Sequence, residues 1–231
     1  MMWLPPADVP ERQSAVVLYH GGGWRVGWPG LHPTLAEFFL REGFPVVMPA
    51  YRLAPFVWHK QMREDLNLAL LKTLHLLKER GFGNKKLILG GASAGATLAA
   101  HLTFDRGALR EMGIEQDLIS GFLSIAGPLD LDQMPDFRAV RNYAGGKPGS
   151  ERFMAANPVN HLLADEQIPT LLLHGTADAI VPFSSSESFF QRYSGPKLLH
   201  PMPGITHLRS LRFATDDVAA AAILKQWLAD K

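Results

Sequence analysis

The chain has 231 residues, no cysteine and a formal net charge of +1, with 47% hydrophobic and 19% charged residues. This length suits one well-buried core, and the chain reads as a single domain over residues 1–231. The missing cysteines exclude disulfides, thiolate metal sites and a cysteine nucleophile; the small net charge gives no electrostatic case for nucleic acid or an anionic membrane.

The N-terminal stretch MMWLPPADVPERQ has no basic segment followed by an apolar run, so a cytoplasmic protein is expected. No apolar stretch approaches the ~20 residues of a membrane helix, so no membrane insertion is expected. Ala15–Tyr19 (AVVLY) is a continuous apolar run ending in glycines, as a buried parallel strand would be. Leu35, Phe38, Phe39 and Glu42 fall at helical spacing before Gly43. Pro45–Pro49 is a second strand. From Glu64 to Lys78, Leu66, Leu70, Leu74 and Leu77 form a helical stripe. Lys86–Gly90 is a third strand, and Ala94–Thr103 a helix of small residues. Ile119–Ala126 and Thr170–His174 are further strands; Ser184–Tyr193 is a helix, Lys197–Pro201 a last strand and Asp216–Leu228 a last helix. Residues 127–163, rich in Pro, Gly and Asn, are the least regular part and suit a small lid or insert. Alternating strands and helices predict a largely parallel sheet covered on both faces. Ligands then bind beyond the carboxyl ends of the strands.

The strongest chemical signal is Gly91-Ala92-Ser93-Ala94-Gly95, directly after one predicted strand and opening the small-residue helix. A serine on so sharp a turn has its hydroxyl exposed, and small residues two positions either side let the backbone pass closely. The new helix's N-terminus adds positive dipole for an oxyanion. The second signal is His20-Gly21-Gly22-Gly23-Trp24 after the strand AVVLY. Such a loop can aim N–H groups at a tetrahedral oxyanion; Gly22, Gly23 and Ala94 are the candidate donors. His20 is expected to tie the loop. Trp24 and Trp28 are candidate substrate contacts, and core packing is the alternative for either.

The serine needs a base, and nine histidines compete. His75 and His101 fall within predicted helices, and His174 and His200 at strand ends. His207 lies in a late loop between the last strand and the last helix, where it could reach Ser93. Asp178, just beyond the strand TLLLH, is the best carboxylate to hold it; Asp130 and Asp132 are rivals. The order Ser93, Asp178, His207 matches one known arrangement of a Ser-His-Asp triad. No metal and no organic cofactor is needed for such chemistry. A protonated His207 cannot act as base, so activity is expected to fall in acid.

HGGGW, YRLAP (51–55), GASAG, HGTADAIVP (174–182) and the GxxH loop together resemble the hormone-sensitive-lipase-like branch of the α/β-hydrolases. The resemblance runs from about residue 15 to the end. It implies the α/β-hydrolase fold, a mostly parallel sheet with helices on both faces. It also implies hydrolysis of small-molecule carboxylic esters by Ser93, Asp178 and His207, with an oxyanion hole from Gly22, Gly23 and Ala94. The region around Asn157-Pro158-Val159 is also similar to compact esterases and arylformamidases, so an amide or formamide hydrolase is the nearest alternative. A non-catalytic binding protein of the same fold is the more distant one. Only 19 residues precede His20, so a minimal or absent cap is expected. Ala92 stands where an aspartate is common in that branch. Short-chain or aryl esters are the expected substrates. The last strand and helix offer an edge for a homodimer.

Overall fold

The computed structural model describes residues 1–231. Seven strands form one sheet: β1 (Met2–Trp3), β2 (Ser14–Tyr19), β3 (Val46–Val47), β4 (Lys86–Ala92), β5 (Ile119–Ile125), β6 (Thr170–Gly175) and β7 (Lys197–Met202). Their order is β1-β3-β2-β4-β5-β6-β7, parallel except for β1, which pairs antiparallel with β3. β2 to β6 are buried along nearly their whole length, the signature of strands covered on both faces. The alternation of side chains across the pleat divides the core in two. Val17, Tyr19, Leu87 and Leu89 face one cluster; Val16, Leu18 and Ile88 face the other.

The helices are α1 (Pro33–Arg41), α2 (His59–Glu79), α3 (Ala94–Phe104), α4 (Arg106–Glu111), α5 (Arg138–Ala144), α6 (Glu151–Ala156), α7 (Phe183–Arg192), α8 (His207–Ser210), α9 (Phe213–Asp216) and α10 (Val218–Leu228). α2, α3 and α7 pack on the first face through Leu66, Leu70, Leu98, Leu102 and Phe189. α1 and α10 cover the second through Leu35, Phe39, Leu224 and Leu228. None of these helices is long and apolar enough to cross a membrane.

The expected elements are all present, with shifted ends. α2 starts at His59, five residues before the expected Glu64, because Met62 extends its buried stripe into a polar-looking stretch. The last helix starts at Val218: Asp217 leaves helical geometry and its carboxylate accepts the Ala220 N–H at 3.0 Å, separating α9 from α10. β1 gave no sequence signal, being only two residues long. Residues 127–163 hold two short helices, α5 and α6, with two 3₁₀ turns.

Register brings the loops that carry the candidate site residues together. Tyr19 pairs with Gly91, Ala92 with Ile125, and Gly175 with Met202. The loops that follow therefore leave one edge of the sheet, and they carry residues 20–24, Ser93, Asp130, Asp178 and His207.

Candidate active site

Ser93 sits between β4 and α3 with φ 52° and ψ −127°, a region that side-chain-bearing residues enter only when the surroundings enforce it. Its N–H donates to Ile125 O at 2.8 Å, and its carbonyl accepts the Ala96 N–H at 2.9 Å. The tightness of the turn explains the flanking glycine. A Cβ on Gly95 would stand 2.0 Å from Tyr19 O.

Ser93 Oγ lies 2.9 Å from His207 Nε2, and His207 Nδ1 lies 2.6 Å from Asp178 Oδ2. All three residues are buried. The carboxylate at Nδ1 keeps the proton of a neutral imidazole on that nitrogen, so Nε2 offers its lone pair to the serine hydroxyl. Asp178 Oδ1 accepts the N–H groups of Ile180 and Val181, both at 2.9 Å. Burial alone would raise this carboxyl, but hydrogen bonds from His174 and His207 and the charge of His207 outweigh it and hold Asp178 well below the usual carboxylate range. The rival Asp130 is buried elsewhere. Its carboxylate accepts from Ser188 Oγ at 2.6 Å and from Asn157 Nδ2 at 3.1 Å.

The glycine loop borders the serine. Gly22 and Gly23 have φ of +117° and +60°, and both line the same cavity as Ser93 and Ala94. His20 ties this loop: its Nδ1 lies 2.9 Å from Gly21 O, and burial lowers its affinity for a proton. Tyr51, from the YRLAP segment, donates its hydroxyl to His20 O at 2.8 Å and stacks on the imidazole with ring centroids 4.3 Å apart.

The cavity above Ser93 has a volume of about 400 Å³. Trp24, Leu31, Met134, Phe137, Val140 and Ile180 are among its apolar walls. The irregular segment thus supplies one wall, from Met134 to Val140. Trp24 is buried and stacks on Tyr143. Trp28, expected beside the substrate, does not line the cavity. It is 61% exposed, because Gly27 packs against His20 and Gly21 while the next residues turn away. A larger groove, about 640 Å³, lies between β3 and α2 and is lined by neither serine nor histidine.

Two histidines at the site were not singled out by sequence. His32 precedes α1, lines the cavity and accepts the Gly21 N–H at 3.3 Å. Burial first, then the neighbouring His20 and His207, push it down to about 4. His174, on β6, approaches Asp178. Only its spacing four residues before Asp178 hinted at this.

Residues 2–193 match the model of the BD-FAE family. An ethyl acetate hydrolase of Pseudomonas putida is 33% identical over 113 residues, covering 48% of this chain and 36% of that protein. A probable isoprenylcysteine alpha-carbonyl methylesterase of Oryza sativa subsp. japonica is 26% identical over 201 residues, covering 80% of this chain and 48% of that protein. The chain thus spans about half, or less, of the length of these curated relatives. Among solved structures, a truncated carbohydrate esterase from gut microbiota superposes with TM-score 0.83 at 15% identity, over 99% of this chain and 89% of that one. Butyrate-bound Est2 of Thermogutta terrifontis superposes with TM-score 0.73 at 24% identity, over 100% and 90%. At such identities the likeness is one of fold, and the fold is that of the α/β-hydrolases.

Proposed function

The chain belongs to the BD-FAE family, and from that premise we propose that it is a serine hydrolase of carboxylic esters, with Ser93 as nucleophile, His207 as base and Asp178 as its carboxylate partner. The observation that carries this reading is the hydrogen-bonded line Ser93–His207–Asp178 on the wall of a cavity of small-ligand size. The esterase names of the relatives support it. The motifs HGGGW, YRLAP and HGTAD support a place beside the hormone-sensitive-lipase-like branch.

In this mechanism His207 Nε2 takes the hydroxyl proton as Ser93 Oγ bonds to the acyl carbon. Asp178 stabilises the resulting imidazolium. The oxyanion sits on the N–H groups of Gly22, Gly23 and Ala94, at the N-terminus of α3; each such donor is worth roughly 3–4 kcal/mol of barrier. The alcohol leaves with the proton from His207. Water, deprotonated by the same nitrogen, then attacks the acyl-enzyme and frees the acid and Ser93.

The small apolar cavity favours short acyl chains, with Trp24 beside the acyl or alcohol group. A series of p-nitrophenyl esters from acetyl to decanoyl tests this, together with N-formylkynurenine for the amide reading and Ser93→Ala as control. Maximal kcat/KM is expected at short chains, with activity abolished by Ser93→Ala. Full activity of that variant would sink the proposal; a maximum at decanoyl would sink its short-chain part.

A further inference from the structure

Four N–H groups face the Asp178 carboxylate, and one of the two side-chain groups among them has no part in the proposed reaction. His174 lies at the end of β6, fully buried. Its Nε2 stands 3.0 Å from Val181 O and 3.3 Å from Asp178 Oδ2. Both neighbours are acceptors, so in the neutral ring the proton is on Nε2. Nδ1 then accepts from Ser186 Oγ of α7, 2.7 Å away and itself buried. The ring is held edge-on against Phe183, with centroids 5.7 Å apart. A line of polar contacts therefore runs from α7 through His174 and Asp178 to His207 and Ser93, with the His174 Nε2–H shared between Val181 O and Asp178 Oδ2.

We propose that His174 is a positioning residue for the hydrolysis: its Nε2–H clamps the Asp178 oxygen that holds His207 and shares out that oxygen's charge. The inference rests on the reading of Ser93, His207 and Asp178 given above. Oδ1 is fixed by two backbone N–H groups of its own loop. Oδ2 has only side-chain partners, His207 and His174. Without His174, Oδ2 is tied by the base alone. The charge on Oδ2 also falls more fully on His207, which favours the imidazolium. The titratable groups around this oxygen are His174 from β6 and His207 from α8, with His32 in turn facing His207.

The test compares His174→Gln, His174→Asn and His174→Phe. The glutamine amide reaches the place of Nε2 and keeps a donor to Asp178. The asparagine amide reaches only the place of Nδ1, and phenylalanine keeps the shape with no donor. Steady-state kinetics of p-nitrophenyl acetate hydrolysis are read across pH. The expected result is kcat lowered about ten- to a hundredfold in the Asn and Phe variants, the scale of one hydrogen bond to a charged group. KM should stay the same and the acid limb of kcat/KM should move to higher pH. His174→Gln should recover most of kcat and bring the limb back. If the phenylalanine variant does not fold, the Gln–Asn contrast carries the test. Equal kcat in the Gln and Asn variants, or a loss of kcat with an unmoved acid limb, overturns the role of His174. Labelling by a fluorophosphonate separates the two readings: active wild-type enzyme that is not labelled at Ser93 overturns the triad itself.

Discussion

The indole of Trp24 lies flat against Tyr143, with ring centroids 4.2 Å apart and planes inclined by 11°. This contact joins the glycine loop to α5, and so joins the proposed oxyanion donors to the irregular segment that walls the cavity. Tyr143 is anchored in turn by His59, whose Nδ1 lies 3.0 Å from its hydroxyl. Tyr143→Phe should cost about 1–3 kcal/mol, since it leaves a buried ring nitrogen of His59 without a partner. Tyr143→Ala should cost about 3–5 kcal/mol through the cavity it opens. Urea unfolding of the two variants beside wild type checks the order; equal midpoints for Phe and Ala would contradict it.

Tyr51→Phe reaches the glycine loop from the other side. The hydroxyl is the donor to His20 O and lies 3.2 Å from His20 Nδ1. Its removal leaves that carbonyl without this donor while the stacked ring stays. Stability should fall by about 1–3 kcal/mol. Because the loop also presents Gly22 and Gly23, kcat for a short ester should fall with KM little changed. A variant with wild-type kcat would separate the YRLAP segment from the oxyanion loop.

The elements that position the site were legible because each is written locally. β4 and α3 announce themselves by an apolar run and a small-residue helix meeting at Ser93, and β6 ends in the residues that lead to Asp178. The cavity was not legible. Leu31 and Ile180 line it from two loops and Leu208 from α8, with no shared period, and Met134, Phe137 and Val140 come from a segment without regular patterning. His32 looked like any histidine before a proline; only the folded loop sets it against the Gly21 N–H. Trp28 failed for the opposite reason. Nearness in sequence to the glycine loop suggested nearness to the substrate, but Trp28 opens a turn closed by the Leu31 N–H on its own carbonyl and its indole is left exposed.

Acid should unfold the protein earlier than its carboxylates alone would dictate. His59 and His101 are buried with ring centroids 4.3 Å apart. Burial, with smaller contributions from Arg63 and His161, lowers His59 to about 3; burial likewise pushes His101 far down. In the unfolded chain both take a proton near 6.5. The unfolded state then binds more protons than the folded one throughout the interval between. The His59 contribution is therefore present in full above about pH 6.5 and lost as pH falls toward about 3, on the order of 4 kcal/mol, and that of His101 is lost in the same direction. Urea midpoints should decline from about pH 6.5 downward, and His59→Asn should flatten the slope. A wild-type curve level down to about pH 4.5, where only carboxylates begin to titrate, would refute this.

The two buried aspartates near the strand ends should separate cleanly. Asp178→Asn removes the acceptor that fixes the His207 tautomer, and kcat should fall roughly 10³- to 10⁴-fold with the fold intact. Asp130→Asn disturbs a network of Ser188, Asn157 and the Asp132 N–H. It should lower stability by about 1–3 kcal/mol and leave kcat unchanged. Kinetics and thermal unfolding of the same preparations decide between them. Comparable kcat losses in both variants would mean that Asp130 also serves His207.

Two glycines near Ser93 should respond very differently to one methyl group. A Cβ on Gly95 would stand 2.0 Å from Tyr19 O and 2.6 Å from His20 O. Both are backbone atoms at the end of the central β2 strand, so neither can swing aside as a side chain does. Relief requires α3 to move away from the sheet, which would displace Ser93 and break the packing beneath it. Gly95→Ala should therefore lose well over ~4 kcal/mol and be recovered mostly unfolded. A Cβ on Gly23 meets nothing within 4 Å. Its only penalty is the positive φ of +60°, about 1–2 kcal/mol for an alanine. Gly23→Ala should fold, unfold at a modestly lower temperature, and keep measurable esterase activity because its N–H is still present. Circular dichroism and size-exclusion profiles of both variants, purified in parallel, check the contrast. Equal yields of folded protein would show that the turn around Ser93 tolerates more room than this geometry allows.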